Sequence, residues 1–279
     1  MNEEKIITHL GEIEGKLLLF GGVYSNLQAL SSLKKWAEEN NFLPQNIFCT
    51  GDVLGYCAQP VECISFVKDW GIHSIAGNVE LNLRNKEVDC GCDFESGGRC
   101  DVFSKNWYSY IQSKIDLPSK LWLNTLPHHI KFNYGKDKVT IVHGSWFHTS
   151  EFVFNSTNWS VKKNNFDGSG STIIIAGHCG LPFINHQKEL TWLNPGVIGM
   201  PANDGSAKVW FATLELKDEK PLSQFHQLEY DNATTRNLMI RNNLPLTYAD
   251  TLVTGIWDNC EILPEEESRQ QGKKIIYYP

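Results

Sequence analysis

Along its 279 residues the chain has no apolar run long enough to cross a bilayer, so a membrane-spanning helix is not expected. It has no cluster of lysine and arginine either. With a formal charge of -7, a nucleic-acid grip built on a basic patch is set aside, although that does not exclude single phosphates. The opening Met1-Asn2-Glu3-Glu4-Lys5 lacks the apolar core of a secretion signal. No internal repeat points to a solenoid. What is present is a hydrophobic content of 41%, enough for one large domain or two small ones. There are also eight cysteines. In a chain without a secretion signal these fit a reducing compartment, where thiols stay free or bind metal, so the expected location is cytoplasmic. Asn155, Asn158 and Asn232 open glycosylation sequons, which a cytoplasmic chain never presents to the enzyme that reads them. Cys49, Cys63 and Cys260 are expected to pack as small hydrophobes.

The hydrophobic periodicity changes along the chain. A buried-strand run over 16–20 ends in Gly21-Gly22, and Leu27, Leu30, Leu33 and Ala37 then recur at helical spacing. A second strand reaches Asp52, a helix opens near Pro60 with Cys63, Val67 and Trp70 on one face, and a third strand reaches Asn78. Strand–helix–strand–helix–strand implies a parallel sheet with right-handed crossovers. From Val139 short strands follow at 139–143, 172–176, 183–185, 190–193 and 209–216, with a hairpin turn at Gln187-Lys188-Glu189. Between the halves lies an insert, rich in Cys, Gly and Asp over 87–101 and helical over about 102–126. After 217 we expect one strand over 225–230 and helices over 233–241 and 248–256, packing on a core of residues 1–217. Beyond Pro264 the chain is expected to be loosely ordered.

Four residues of metal-ligating type each follow a short apolar run: Asp52 in Thr50-Gly51-Asp52, Asn78 in Gly77-Asn78, His143 in Val142-His143-Gly144, and His178 in Gly177-His178. Buried strands that each deliver one polar side chain to the same end of a sheet produce this pattern. A carboxylate, an amide oxygen and two imidazoles suit at least one divalent transition metal, such as zinc, manganese or iron.

The order Gly21-Gly22-Val23-Tyr24-Ser25-Asn26, Gly51-Asp52, Gly77-Asn78-Val79-Glu80, Val142-His143-Gly144 and Gly177-His178-Cys179-Gly180 resembles the calcineurin-like metallophosphoesterases, over about 17–216. The resemblance implies an α/β fold of the α+β type, a sandwich of two mixed sheets flanked by helices. It also implies hydrolysis of a small phosphomonoester or phosphodiester by two metals bridged by an aspartate and a hydroxide. The family's first motif is Asp-x-His-Gly-Asn, but here Gly22 and Tyr24 stand at the Asp and His positions. Val79 stands where the family has its acid histidine, and Gly180 where it has the last histidine. The resemblance therefore implies one intact metal position, formed by Asp52, Asn78, His143 and His178, and a second that is empty or rebuilt. Val79 cannot protonate a leaving group, a contribution of about 10²–10⁴-fold in rate where such an acid operates.

Several roles stay open at this point. Tyr24 is a candidate proton donor or phosphate contact, or an aromatic that fills vacated space. Asn26 is a candidate phosphate contact at a helix N-terminus, or a plain cap. Glu80 reads as a first-turn charge that complements the helix dipole. Cys57 and Cys179 are expected near the metal rim, and Cys90, Cys92 and Cys100 lie on a loop that can fold over it. The cysteines fit a thiolate-bearing rim site, a separate structural zinc on Cys90, Cys92 and Cys100, or no metal. His128-His129 reads as a surface pair and His148 as a loop residue. The competing functional readings are a non-catalytic metal-binding scaffold or sensor, and thiol or redox chemistry at a cysteine-bordered site. No sequence feature names a protein partner.

Overall fold

The computed structural model describes residues 5–92 and 94–277. The apolar tetrad Leu17–Phe20 (β2) is buried on both faces, as a central strand requires. Leu17 and Leu19 point one way, into a core shared with Phe48, Ile75, Ile141 and Ile175. Leu18 and Phe20 point the other way, against the helices Leu27–Glu39 (α1) and Pro60–Trp70 (α2). Strands Ile47–Cys49 (β3) and His73–Ser74 (β4) extend β2 in parallel. Val209–Lys217 (β10) and Lys220–Leu228 (β11) complete that sheet antiparallel, in the order β11-β10-β2-β3-β4.

A second sheet stacks on the first. It contains Ile7–Glu12 (β1), His129–Tyr134 (β5), Asp137–Ile141 (β6), Ile173–Ile175 (β7), Phe183–Gln187 (β8) and Leu190–Asn194 (β9), in the order β1-β5-β6-β7-β9-β8. Strands β6, β7 and β9 run parallel, and β8–β9 is the expected hairpin. The outer face of this sheet is covered by Trp159–Ser169 (α6), whose Phe166 meets Trp192 of β9 edge-on at 6.1 Å. The remaining helices gather beyond the strand ends: Asn78–Asn85 (α3), Arg99–Lys114 (α4), Leu117–Leu123 (α5), Asn232–Arg241 (α7) and Leu246–Thr254 (α8). Trp107, Ile111, Leu123, Met239 and Leu252 form their common core. This is the expected sandwich of two mixed sheets flanked by helices.

Several expectations change. Strand β1 carries no apolar run to announce it, and its residues are half-buried or exposed at a sheet edge. Helix α6 turns polar residues inward: Lys162 is buried and donates to the Asn155 and Thr157 carbonyls and to Asn185 Oδ1, so apolar periodicity does not reveal it. Strand β11 starts at Lys220, because its register is set by pairing with β10 rather than by its own composition. Past Pro264 the described residues are held in place rather than loose. They form Glu265–Ser268 (α9), Glu267 accepts from Ser156 at 2.7 Å, and Tyr277 stacks on Phe225 with ring centres 4.0 Å apart. His128 and His129 are buried rather than on the surface, and His129 lies against Trp146. His148 is an exposed loop residue, as expected. Among the described residues no helix is long and apolar enough to cross a membrane.

Candidate metal centre

Strands β2, β3 and β4 of one sheet, and β6 and β7 of the other, deliver their carboxyl ends to one edge of the sandwich. There Asp52, Asn78, His143 and His178 meet, all buried. His143 is the hub: its Nε2 lies 3.0 Å from Asn78 Oδ1, 3.1 Å from His178 Nδ1 and 3.3 Å from Asp52 Oδ2. Its other nitrogen, Nδ1, sits 2.7 Å from the Thr50 carbonyl. A carbonyl only accepts, so Nδ1 carries a proton and Nε2 is the nitrogen turned toward Asp52, Asn78 and His178. Asn78 is fixed in the same sense, because its Nδ2 donates to the Cys90 carbonyl at 2.8 Å and to Cys92 Sγ at 3.1 Å. Its amide oxygen therefore faces inward. The centre gathers acceptors against acceptors, an arrangement that only a shared proton or a cation stabilises. The donor set fits a divalent ion. Asp52, His143 and His178 can place one ligand atom each within 4.8 Å of one another, and they are the only such group of His, Cys, Asp and Glu among the described residues.

The loops around the centre approach one another closely. Asp52 and His178 both take left-handed backbone conformations, with φ of 54° and 56°, which aim their side chains back across the strand ends. Gly77 must lack a side chain, since a Cβ there would collide with Asp52 Oδ1 and lie 2.7 Å from the Asp52 nitrogen. Glu80 ties these loops together. Fully buried, it accepts from the backbone N–H of Asp52 (2.9 Å), Leu54 (3.0 Å) and Gly77 (2.8 Å). Burial, and then the Asp52 charge, raise its carboxyl to about 7, against the pull of those N–H groups. It stands in the first turn of α3, as expected, and also serves as an internal brace. Asn194 braces the other side, donating to the Gly177 carbonyl at 2.7 Å. Burial disfavours the imidazolium of His143, but the Asp52 charge and hydrogen bond outweigh it, and the net shift is upward. His178 is pushed down to about 3 by burial and by His143 beside it.

Beside the centre is a cleft of about 80 Å³. Tyr24, Asp52, Cys92, His178 and Cys179 form its floor, and residues of the insert and the C-terminal segment form its walls. The Tyr24 ring lies where a side chain at Gly22 would emerge, packs edge-on against Tyr56 at 4.7 Å, and has its hydroxyl pK raised far above the usual range by burial and by Asp52. Gly180 lines the cleft, and Val79 is buried in the helical core. The other expected phosphate contact, Asn26, does not reach the cleft. It is fully buried, caps α1 through Ala29 N at 3.1 Å, donates to the Gly199 carbonyl and accepts from Thr235.

The thiols divide. Cys57 is a core residue away from the cleft, its pK raised by burial, so it is not at the rim. Cys179 reaches the rim, but Asn194 donates to its sulfur at 3.1 Å and burial raises it to about 12, far from a thiolate. Cys90 and Cys92 face each other, and Cys100 turns to Asn259 Oδ1 at 3.4 Å. The alternative of a zinc on Cys90, Cys92 and Cys100 finds no such cluster among the described residues, because Cys100 turns away from the Cys90–Cys92 pair. Cys49 and Cys63 pack in the core as expected, and Cys260 is half-buried beside it.

The family model for the calcineurin-like phosphoesterase superfamily domain matches residues 22–219. The chain belongs to that superfamily. An uncharacterized protein of Methanocaldococcus jannaschii is 23% identical over 87% of this chain and 99% of its own length. Among solved structures, a hypothetical protein of Pyrococcus horikoshii superposes with a TM-score of 0.73 at 17% identity, covering 87% of this chain and 99% of that one. A metallophosphoesterase of Sphaerobacter thermophilus superposes with a TM-score of 0.67 at 22% identity, covering 88% of this chain and all of that one. At these identities the structural likeness establishes the fold. Members of this superfamily usually bind divalent metals, and the acceptor cluster stands where the phosphoesterase motifs converge.

Proposed function

We propose that this chain is a metal-dependent phosphoesterase acting on a small phosphoester, with one intact cation position held by Asp52, Asn78, His143 and His178. The observation that carries the reading is the convergence of Asn78 Oδ1, His178 Nδ1 and Asp52 Oδ2 on His143 Nε2, at 3.0–3.3 Å. Mixed oxygen and imidazole donors favour zinc, manganese or iron. When bound, such an ion polarises a phosphoryl oxygen and acidifies water. The chain's own residues do the rest. Thr50 and the Cys90 carbonyl hold the imidazole and the amide in ligating orientation, and Glu80 fixes the loop that carries Asp52. Tyr24, neutral because burial and Asp52 disfavour its phenolate, offers an O–H donor on the cleft floor to a phosphate oxygen or leaving group. The aromatic walls exclude bulk water. Eight free thiols support a cytoplasmic location.

One observation favours a second reading, a metal-binding scaffold or sensor without turnover: the Tyr24 ring fills the space beside Gly22 and Val79 replaces the acid. Metal analysis combined with a broad phosphoester panel separates the two. Purified protein should hold about one divalent ion per chain, lost in His143→Ala and kept in Cys90→Ala, whose carbonyl still orients Asn78. Turnover abolished by Asp52→Ala supports the esterase. A bound ion with no turnover across the panel supports the scaffold, and no bound ion in the unaltered protein refutes both.

A further inference from the structure

The walls of the cleft bear on which phosphoester it takes, an inference that rests on the metal-dependent reading above. Among the described residues, none that lines the cleft is lysine or arginine. Arg99, on the insert, is already bound in two-pronged fashion to the lining residue Asp258, at 2.6 and 2.7 Å. A divalent ion against the Asp52 carboxylate leaves a single net positive charge, with no lysine or arginine on the cleft to add to it. A phosphomonoester carries close to two negative charges at neutral pH, so in this enclosure one would go uncompensated, which is costly away from water. A phosphodiester carries one, and it balances.

The rest of the wall is largely aromatic and apolar, with Tyr56, Phe94, Phe152, Met200, Tyr248 and Trp257, and Thr251, Asp258 and Asn259 among its polar members. Most of the polar groups beyond the tyrosine hydroxyls already have partners. Trp257 Nε1 donates to the Pro201 carbonyl at 2.8 Å, Thr251 Oγ1 to the Ile256 carbonyl at 3.0 Å, and Asn259 Oδ1 accepts from Glu261 N at 3.1 Å. A sugar or a nucleobase edge entering there would lose more hydrogen bonds to water than the few open hydroxyls can replace. A flat apolar group loses none and gains ring-on-ring packing. We propose that the site is built for a phosphodiester, with the singly charged phosphate on the Asp52–His178 floor and one flat, apolar ester arm between the insert and the C-terminal segment.

Three probes test this on the full-length, zinc-loaded protein by titration calorimetry: diphenyl phosphate (a diester with flat arms), phenyl phosphate (the doubly charged monoester) and dimethyl phosphate (a diester without flat arms). Diphenyl phosphate should bind about tenfold or more tighter than either of the others. Phe94→Lys, which places a cation in the wall, should shift the preference toward phenyl phosphate by about tenfold, and Trp257→Ala should weaken diphenyl phosphate but leave dimethyl phosphate unchanged. Phenyl phosphate binding as tightly as the diester overturns the charge argument. Dimethyl phosphate binding as tightly, or no binding of diphenyl phosphate, overturns the apolar arm. Zinc content measured on the same sample keeps the outcomes apart: a wrong preference with zinc bound refutes this proposal alone, and failure to take up zinc refutes the metal centre beneath it.

Discussion

At the scale of single residues, the four side chains that converge were legible and their braces were not. Asp52, Asn78, His143 and His178 each close an apolar run, so the strand signal and the ligand signal lie within a few positions of one another. What orients them comes from the backbone: the carbonyls of Thr50 and Cys90 carry no side-chain signature. Glu80 could have been read further, since an acid three residues after Gly77 is placed to take the N–H that opens α3. Its reach to Asp52 and Leu54 depends on the fold. Those bonds help hold Asp52 in its left-handed conformation, and a left-handed residue costs about 1 kcal/mol or more. Glu80→Gln would turn an amide NH₂ toward three N–H donors and leave some of them unpaired. We expect a loss of about 2 kcal/mol in denaturant unfolding and roughly tenfold weaker metal binding, both measured on one preparation. An unchanged unfolding midpoint would show that the carboxylate is not the brace described.

At the scale of elements, the insert and the C-terminal segment depend on each other. Helix α4 begins at Gly98, which has no side chain to cap it, and Glu261 supplies the cap from 161 residues away, accepting from Arg99 N at 3.0 Å and Cys100 N at 3.1 Å. Arg99 returns the contact through Asp258. Such a tie leaves no local pattern, which is why nothing in the sequence joined the insert to the residues just before Pro264. Helix α6 escaped for a related reason: Lys162 and Asn165, polar residues, occupy its buried face. Glu261→Ala should speed hydrogen exchange at the first amides of α4 and sensitise the chain around 87–99 to protease, with the global unfolding midpoint nearly unchanged. Exchange as slow as in the unaltered protein would mean that the cap does not hold the roof.

At the scale of the whole molecule, the two sheets were legible because their central strands are buried on both faces. The centre joins them: Asp52 and Asn78 follow strands of one sheet, His143 and His178 strands of the other. A cation held there ties the sandwich at one end and should raise stability with its free concentration. Without it, the buried imidazoles govern the acid limb. His178 and His129 both lie near 3, each depressed chiefly by burial, against about 6.5 in the unfolded chain. The unfolded state binds more protons across that interval, so their contribution is complete above 6.5 and is lost as pH falls toward 3. His143, raised, acts oppositely, and its contribution is lost as pH rises through its folded value. In chelator, unfolding midpoints should therefore fall below pH 6.5, and His129→Gln should flatten that slope. An equal slope in the variant would refute the assignment.

The Tyr24 ring also couples position 24 to position 22. Because it lies where any side chain on Gly22 must emerge, an aspartate introduced at 22 alone produces a collision rather than a ligand. Removing the ring alone opens a hole beside the cleft. Any attempt to engineer a second cation position on this floor therefore has to alter both residues, and a single substitution at either one tests packing rather than ligation.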